Sequence, residues 1–186
     1  VIGGGDIAFR KINLLIKAQA KVDCLSPLFC EGITNLSQNG DVNLIQKCFE
    51  SDDIKDYAII IASTDDSSVN ALISKSAKKA RIPVNVVDSP ELSSFIMPSI
   101  VDRSPVLIAV SSAGRAPVLA RIIRAKLETV IPSAYGVLAE IAGEYRQKVK
   151  DRFSKIKDRR AFWESIFSGV IAEKVFSGRI NEAKDD

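Results

Sequence analysis

The stretch VIGGGDIA (residues 1–8) decides the fold, because it joins an apolar start to a glycine loop and then to a helix-forming segment. Its spacing follows the G-x-G-x-x-A form of the dinucleotide fingerprint. There Gly3 allows a tight turn, Gly5 admits a pyrophosphate to the main chain, and Ala8 permits close helix packing. A glycine-rich turn that binds nothing is the alternative. The residues predicted here to bind a dinucleotide are Gly3, Gly5, Asp6 and Ile7, the last two through the helix N-terminus.

Four short apolar runs follow the loop and alternate with helical segments. They lie at Val22–Leu25, Val42–Ile45, 58–62 and 84–87, with the clearest helix at Ser67–Ala80. This alternation predicts an α/β fold for residues 1–97, a Rossmann-like parallel sheet with helices on both faces. Ligands bind beyond the carboxyl ends of such strands. The rim residues are therefore Gly3–Asp6, Ser26, Thr64–Asp66 and Asp88.

The position that usually holds an acid for the ribose hydroxyls is occupied by Ser26. A serine makes a neutral hydrogen bond, and no arginine stands beside it to bind a 2′-phosphate, so the sequence favours NAD over NADP. Ser26, Pro27, Leu28 and Thr64 complete the predicted cofactor-binding set. For Thr64–Asp66 the alternative is an N-cap and an acidic first turn for the helix that starts at Ser67.

Composition excludes several classes of protein. The chain has 186 residues, 46% of them hydrophobic, and its apolar runs fall far short of the roughly 20 residues of a membrane span. It has no histidine, and its three cysteines lack metal-site spacing, so we expect no dedicated metal site and reduced thiols in a cytoplasmic protein. Proton transfer must then use carboxylates, hydroxyls or thiols. Because the phosphate loop starts at residue 3, we expect the first strand to be truncated.

The formal charge of +3 is mild and predicts no nucleic-acid partner. One basic run, at residues 146–160, is interspersed with acids. It predicts a solvated helix face, with steering of an anionic substrate as the alternative.

The second half of the chain changes character after Met97. Residues 99–102 and 106–110 predict two short strands, 117–130 an amphipathic helix, and 132–186 a helical domain in which 180–186 forms a fraying tail. Apolar residues alternate between Ile96 and Val110, and Val118, Ile122 and Leu127 form a stripe. Since a short segment cannot bury all of these, we expect a two-fold interface and a homodimer.

An ordered set of motifs resembles the siroheme synthase family, in its precorrin-2 dehydrogenase and sirohydrochlorin ferrochelatase module. The motifs are GGGDIA (3–8) with Arg10-Lys11, ASTDD (62–66), NVVD (85–88), SFIMP (94–98), SSAGRAP (111–117) and RRAFWE (159–164). The resemblance implies NAD-dependent oxidation of precorrin-2 to sirohydrochlorin, followed by insertion of ferrous iron as a substrate. It also implies that residues 98–131 form the dimerisation region. No methyltransferase domain is expected within this chain.

The same resemblance assigns roles to residues of the motifs NVVD (85–88) and SSAGRAP (111–117). Asp88 matches the catalytic base shared by both steps, although local sequence alone favours a turn-forming aspartate before Ser89. The residues that match tetrapyrrole-binding positions are Asn85, Ser112, Gly114 and Arg115. Ser112 also matches a phosphorylation site, with simple helix capping as the alternative. A non-enzymatic NAD-binding regulatory domain is the competing functional class.

Overall fold

Ile2 lies at the centre of a parallel sheet in the computed structural model, which describes residues 1–185. Its main chain bridges Leu25 on one side and Ala62 on the other. The Ile2 N–H also donates to the carbonyl of Ile61 at 2.8 Å. These bridges join two parallel strand pairs into one sheet with the order β2, β1, residues 1–3, β3, β4. The strands are β1 (Val22–Leu25), β2 (Val42–Ile45), β3 (Ile60–Ala62) and β4 (Val84–Val86).

Helices cover both faces of this sheet. On one face α1 (Asp6–Lys17) and α2 (Glu31–Gln38) bury Ala8, Ile12 and Ile33 against Val22 and Cys24. On the other face α3 (Ser67–Ala80) and a 3₁₀ turn (Ser51–Ile54) share a core with the apolar side chains of β3 and β4. The predicted α/β fold with a parallel sheet is confirmed.

The predicted bounds of β1, β2 and α3 are confirmed, whereas two strand predictions were too long. β3 begins at Ile60 rather than at residue 58. β4 ends at Val86, because Val87 and Asp88 form a turn in which Asp88 has a φ of 58°. Left-handed backbone cannot continue a strand. The turn therefore sets Asp88 directly beyond the carboxyl end of β4.

A second compact unit begins at Pro98, after a first unit of Val1–Met97. It opens with the antiparallel pair β5 (Ser99–Arg103) and β6 (Val106–Val110), followed by α4 (Pro117–Val130). Arg103 donates hydrogen bonds to the carbonyls of Glu128 and Ile131 at 3.0 and 2.7 Å. A cation thus satisfies the last carbonyls of α4. The predicted strand pair and helix are confirmed, with β5 one residue longer.

Within residues 1–185 four helices complete the second unit, and three of them share a core that corrects one prediction. They are α5 (Ala134–Arg152), α6 (Ile156–Ser168), α7 (Val170–Phe176) and α8 (Ile180–Asp185). The expected fraying tail is wrong for residues 180–185, because Ala183 is buried against α5 and α7 and Lys184 pairs with Glu144 at 2.9 Å. The last residue of that predicted tail, Asp186, lies outside the described residues.

The basic run at 146–160 lies on α5, α6 and the turn between them. Its cationic side chains are exposed apart from Arg159, which is half-buried, so the predicted solvated face is largely confirmed. Within residues 1–185 no helix is both long and apolar enough to cross a bilayer.

Candidate functional site

A cleft of about 820 Å³ opens at the carboxyl edge of the sheet, around the glycine loop. Its walls bring together all eight residues predicted to bind the cofactor: Gly3, Gly5, Asp6, Ile7, Ser26, Pro27, Leu28 and Thr64. Lining residues that were not predicted from the sequence include Phe29, Cys30, Cys48 and Phe49. These residues follow the carboxyl ends of β1 and β2, so the strand-end rule could have identified them.

The three loop glycines face different surroundings. Gly3 has a φ of 120°, and a Cβ there would lie 2.8 Å from the carbonyl carbon of Ser63. A Cβ on Gly4 would collide with the main-chain oxygen of Leu28. A Cβ on Gly5 would meet nothing within 4 Å. Gly3 and Gly4 are therefore required by the fold, whereas the space beside Gly5 is left open at the wall of the cleft.

Helix α1 begins at Asp6, directly after the glycine loop. Gly5 is its N-cap and supplies no side-chain hydrogen bond, so the first-turn amides keep their capacity to bind an anion. The charged residues in the described lining are the acids Asp6, Asp65 and Asp66. With no basic side chain lining the described cleft, it suits a pyrophosphate held by amides better than a further phosphate held by arginine or lysine.

The rim beyond β3 is held by local hydrogen bonds. Thr64 Oγ1 donates to Asn70 Oδ1 at 2.8 Å, and Asn70 Nδ2 donates back to the Thr64 carbonyl at 2.8 Å. Asp66 Oδ1 accepts from the N–H groups of Ser68 and Val69 and is the N-cap of α3. Hydrogen bonds from the Ser68 side chain and from these amides lower the pKa of Asp66. The capping alternative is thus confirmed for Asp66.

Asp88 is exposed at the same edge of the sheet, beyond β4, and is not among the residues that line the cleft. Its carboxylate makes no hydrogen bond or ion pair within residues 1–185. Aspartate and asparagine are the non-glycine residues that best tolerate its left-handed backbone. Asp88 can therefore form the turn and still present a carboxylate that makes no hydrogen bond within residues 1–185.

Lys11, in the second turn of α1, is half-buried and interacts electrostatically with Asp88. Burial lowers the pKa of the Lys11 ammonium, the charge of Arg10 lowers it further, and Asp88 opposes both effects. No role was predicted for Lys11 from the sequence.

Asn85 is buried in β4, and its side chain is already used by the fold. Its Nδ2 donates to the carbonyl of Phe95 at 3.1 Å. Beside it, Ser93 and Ser94 accept hydrogen bonds through Oγ from the N–H groups of Val86 and Val84, both at 2.8 Å. The segment after the turn thus satisfies the donors of the edge strand β4.

Three predicted tetrapyrrole-binding residues lie in the second unit, in the loop before α4. Ser112 Oγ accepts from the N–H of Ala116 at 2.9 Å, and the Ser112 carbonyl accepts from the N–H of Arg115 at 3.1 Å. Gly114 has a φ of 78°. Pro117 is the first residue of α4, whose N-cap Ala116 makes no side-chain hydrogen bond. Ser112 therefore stabilises the loop rather than the helix itself.

Three family models match consecutive parts of the chain. A "Putative NAD(P)-binding" model matches residues 1–99, "Sirohaem biosynthesis protein central" matches 103–129, and "Sirohaem synthase dimerisation region" matches 134–186. Siroheme synthases of Ruthia magnifica subsp. Calyptogena magnifica and Nitrosomonas europaea are 58% and 50% identical over the whole chain. The chain belongs to the family of the NAD(P)-binding model, and over its whole length it is similar to siroheme synthases. The predicted resemblance is confirmed.

The chain spans about two fifths of the length of these siroheme synthases, 39% in both cases. A solved structure described as a precorrin-2 dehydrogenase matches with a TM-score of 0.75 and 21% identity, over 97% of this chain and 92% of that one. It supports the fold. The siroheme synthase dimerisation region matches α5–α8, whereas the predicted dimerisation region was 98–131.

Proposed function

We propose that this chain binds NAD and oxidises precorrin-2 to sirohydrochlorin, and that it then inserts ferrous iron to give siroheme. The observation that carries the proposal is the cleft, which gathers the eight predicted cofactor residues in a chain that is similar to siroheme synthases. Relatives named siroheme synthase support the substrate class.

The cleft fits NAD in three respects. Gly5 leaves open space for a pyrophosphate, the uncapped first turn of α1 offers amides, and Ser26 stands at the ribose position. The acidic lining disfavours the additional phosphate of NADP. When bound, NAD supplies the hydride acceptor for the oxidation.

Asp88 is proposed as the general base. Loss of a hydride and a proton converts the reduced tetrapyrrole to its oxidised form, and the exposed carboxylate beyond β4 can accept that proton. Iron insertion releases two pyrrole N–H protons, which the same carboxylate can accept in turn. In the described part of the chain, no group of three or more His, Cys, Asp or Glu side chains could hold a metal ion. Iron enters this proposal as a substrate because of the similarity to siroheme synthases.

The remaining parts of the proposal concern substrate, assembly and location. Ser112, Gly114, Arg115 and Asn85 are proposed to contact the acidic tetrapyrrole, with Ser112 open to phosphorylation. We propose a homodimer, which the matched dimerisation region supports. A cytoplasmic location is consistent with Cys24, Cys30 and Cys48 being free thiols. No nucleic-acid partner is proposed.

The test is to incubate the full-length protein with precorrin-2 and NAD and to follow NADH absorbance, then to add ferrous iron and follow the siroheme spectrum. NADH formation that needs both reactants supports the dehydrogenase. If calorimetry shows NAD binding but no NADH forms, the protein is a non-enzymatic NAD-binding domain instead. NADH formation without enzymatic iron insertion would limit the proposal to its first step.

A further inference from the structure

A groove of about 640 Å³ is lined by α5 and α6 within the second unit. Its volume falls in the range of small-molecule binding sites. The α5 wall includes the small residues Ala142 and Gly143. A Cβ on Gly143 would meet nothing within 4 Å. The side chains on α5 therefore leave this part of the groove open.

The α6 wall of the groove is apolar and poorly covered. Ile156 is 78% exposed and Phe167 is 44% exposed. The rings of Trp163 and Phe167 stack, with 15° between their planes and 5.7 Å between their centroids. In the part of the chain that the structure describes, no residue of α6 is buried. An aromatic wall of this kind suits a flat conjugated ligand, which can stack on it.

The charged residues in the described lining of the groove are all cations. They are Arg146, Lys150, Arg159 and Arg160. Arg146 and Lys150 are exposed, and their side chains make no hydrogen bond or ion pair within residues 1–185. Arg160 pairs with Glu164 at 2.7 Å, so one of the four charges is already compensated. The groove therefore complements an anionic ligand.

Arg159 adds a donor that the fold does not satisfy. This side chain is half-buried, and its Nη2 donates to the carbonyl of Ser154 at 3.3 Å. Its Nε is buried and has no hydrogen-bond acceptor within residues 1–185. A buried donor without an acceptor is costly, and a carboxylate is the acceptor that best matches a guanidinium. The unmet donor thus points to the same ligand chemistry as the other cations.

We propose that the α5–α6 groove binds a flat polycarboxylate, and that this ligand is a tetrapyrrole of the oxidation step. The chemistry of the ligand rests on the groove, whereas its identity rests on the proposed function, since precorrin-2 and sirohydrochlorin both carry carboxylate arms. The groove residues are different from the four proposed above to contact the tetrapyrrole. They give the basic run at 146–160 a binding role in addition to that of a solvated face.

The test titrates the full-length protein with uroporphyrin, a stable tetrapyrrole with several carboxylate arms, and resolves its binding events by calorimetry. Arg146→Gln combined with Lys150→Gln should weaken one event about tenfold, because two cations that line the groove are lost. Lys155→Gln combined with Lys157→Gln is the matched control. It removes the same charge from exposed residues of the same basic run outside the groove lining, and should change each event less than about twofold.

Phe167→Leu separates stacking from charge. Leucine keeps an apolar side chain in the groove but removes the ring that stacks on Trp163, so the same binding event should weaken several-fold. Unspecific attraction between a basic surface and an anion would not respond to this change.

Three results would overturn the inference. The first is equal uroporphyrin affinity in the Arg146/Lys150 variant and its lysine control. The second is an oligothymidylate that binds more tightly than uroporphyrin and loses its affinity in the Arg146/Lys150 variant, which would assign the groove to nucleic acid. The third is loss of the dimer in that variant by light scattering, which would assign the groove to a contact between copies of this chain.

Failure of this inference is distinguishable from failure of the proposed function. A protein that forms NADH from precorrin-2, but whose groove variants bind uroporphyrin normally, would keep the proposed function and lose the groove site. A protein that forms no NADH, but whose uroporphyrin binding depends on Arg146 and Lys150, would keep the polycarboxylate site and lose the proposed function.

Discussion

The side-chain amide of Asn85 donates a hydrogen bond to the main-chain carbonyl of Phe95 at 3.1 Å. Asn85 is 6% exposed, so its amide and the Phe95 carbonyl depend on each other inside the first unit. The bond ties the motif NVVD (85–88) to the motif SFIMP (94–98). The family resemblance rests in part on these two motifs. A structural role therefore accompanies the proposed substrate contact of Asn85.

Asn85→Ala should lower the free energy of unfolding by about 1–3 kcal/mol, because it removes the buried Asn85 amide and leaves the half-buried Phe95 carbonyl without this donor. Chemical denaturation measures the change. Asn43 is the matched control, since it is an exposed β2 asparagine that donates to Asp23 Oδ1, also at 3.1 Å. Asn43→Ala should cost less than about 1 kcal/mol. Equal, small effects of the two changes would show that the Asn85–Phe95 bond contributes little to stability.

Local patterns predicted the repeating elements of this fold, whereas contacts between distant elements escaped them. Apolar runs predicted β1 and β2, and the capping residue Asp66 indicated the start of α3. Both signals are contained in a few adjacent residues. The helix α8 was missed because its stability comes from burying Ala183 against other helices.

The candidate site was predictable to a similar extent. The glycine fingerprint and the strand-end rule together led to eight predicted cofactor residues that the structure gathers in one cleft, because parallel strands share a carboxyl edge. The sequence predicted only in part which glycine faces a ligand. The fingerprint gave Gly3 and Gly5 their roles, but the clash of Gly4 with Leu28 depends on how the chain returns after β1.

Gly5→Val should weaken NAD binding at least tenfold while the protein stays folded. The open space beside Gly5 accepts the side chain in the free protein, but the pyrophosphate needs that space. Calorimetric titration measures the affinity. Gly4→Ala is the contrasting variant and should instead lower the free energy of unfolding, since its Cβ meets the Leu28 carbonyl. Unchanged NAD affinity in folded Gly5→Val would remove the fingerprint as the cofactor site.

Ser112→Asp should raise the KM for precorrin-2 several-fold without changing NAD affinity. Aspartate retains an oxygen for the Ala116 N–H, so the loop is kept while a negative charge is added near the carboxylate arms of the substrate. Ser112→Asn adds an acceptor without charge and serves as the control in steady-state kinetics. A similar KM in both variants would assign Ser112 to loop structure alone and argue against regulation by phosphorylation.

Val118→Glu combined with Ile122→Glu should weaken the homodimer at least tenfold in light scattering. These α4 side chains are 60% and 46% exposed, and burying a charged pair at a two-fold interface is costly. Val170→Glu, on α7 within the matched dimerisation region and 62% exposed, tests the other surface. Loss of the dimer in Val170→Glu alone would move the interface from 98–131 to 134–186. A monomer before any substitution would contradict the homodimer.

Asp88→Asn should lower the rates of NADH formation and of enzymatic iron insertion together, by roughly a hundredfold to ten-thousandfold, because both steps lose their proton acceptor. Asparagine is the appropriate replacement, since it tolerates the left-handed backbone at φ 58° that Ala would adopt only at a cost of about 1 kcal/mol. Stopped assays with and without ferrous iron measure the two rates.

NAD affinity and the denaturation midpoint of Asp88→Asn should equal those of the unmodified protein, because the carboxylate lies outside the cofactor cleft and makes no hydrogen bond within residues 1–185. That result separates loss of the base from loss of the fold. Near-normal rates in both assays would make Asp88 a turn residue and remove the proposed mechanism. A fall in only one rate would mean that oxidation and iron insertion use different bases.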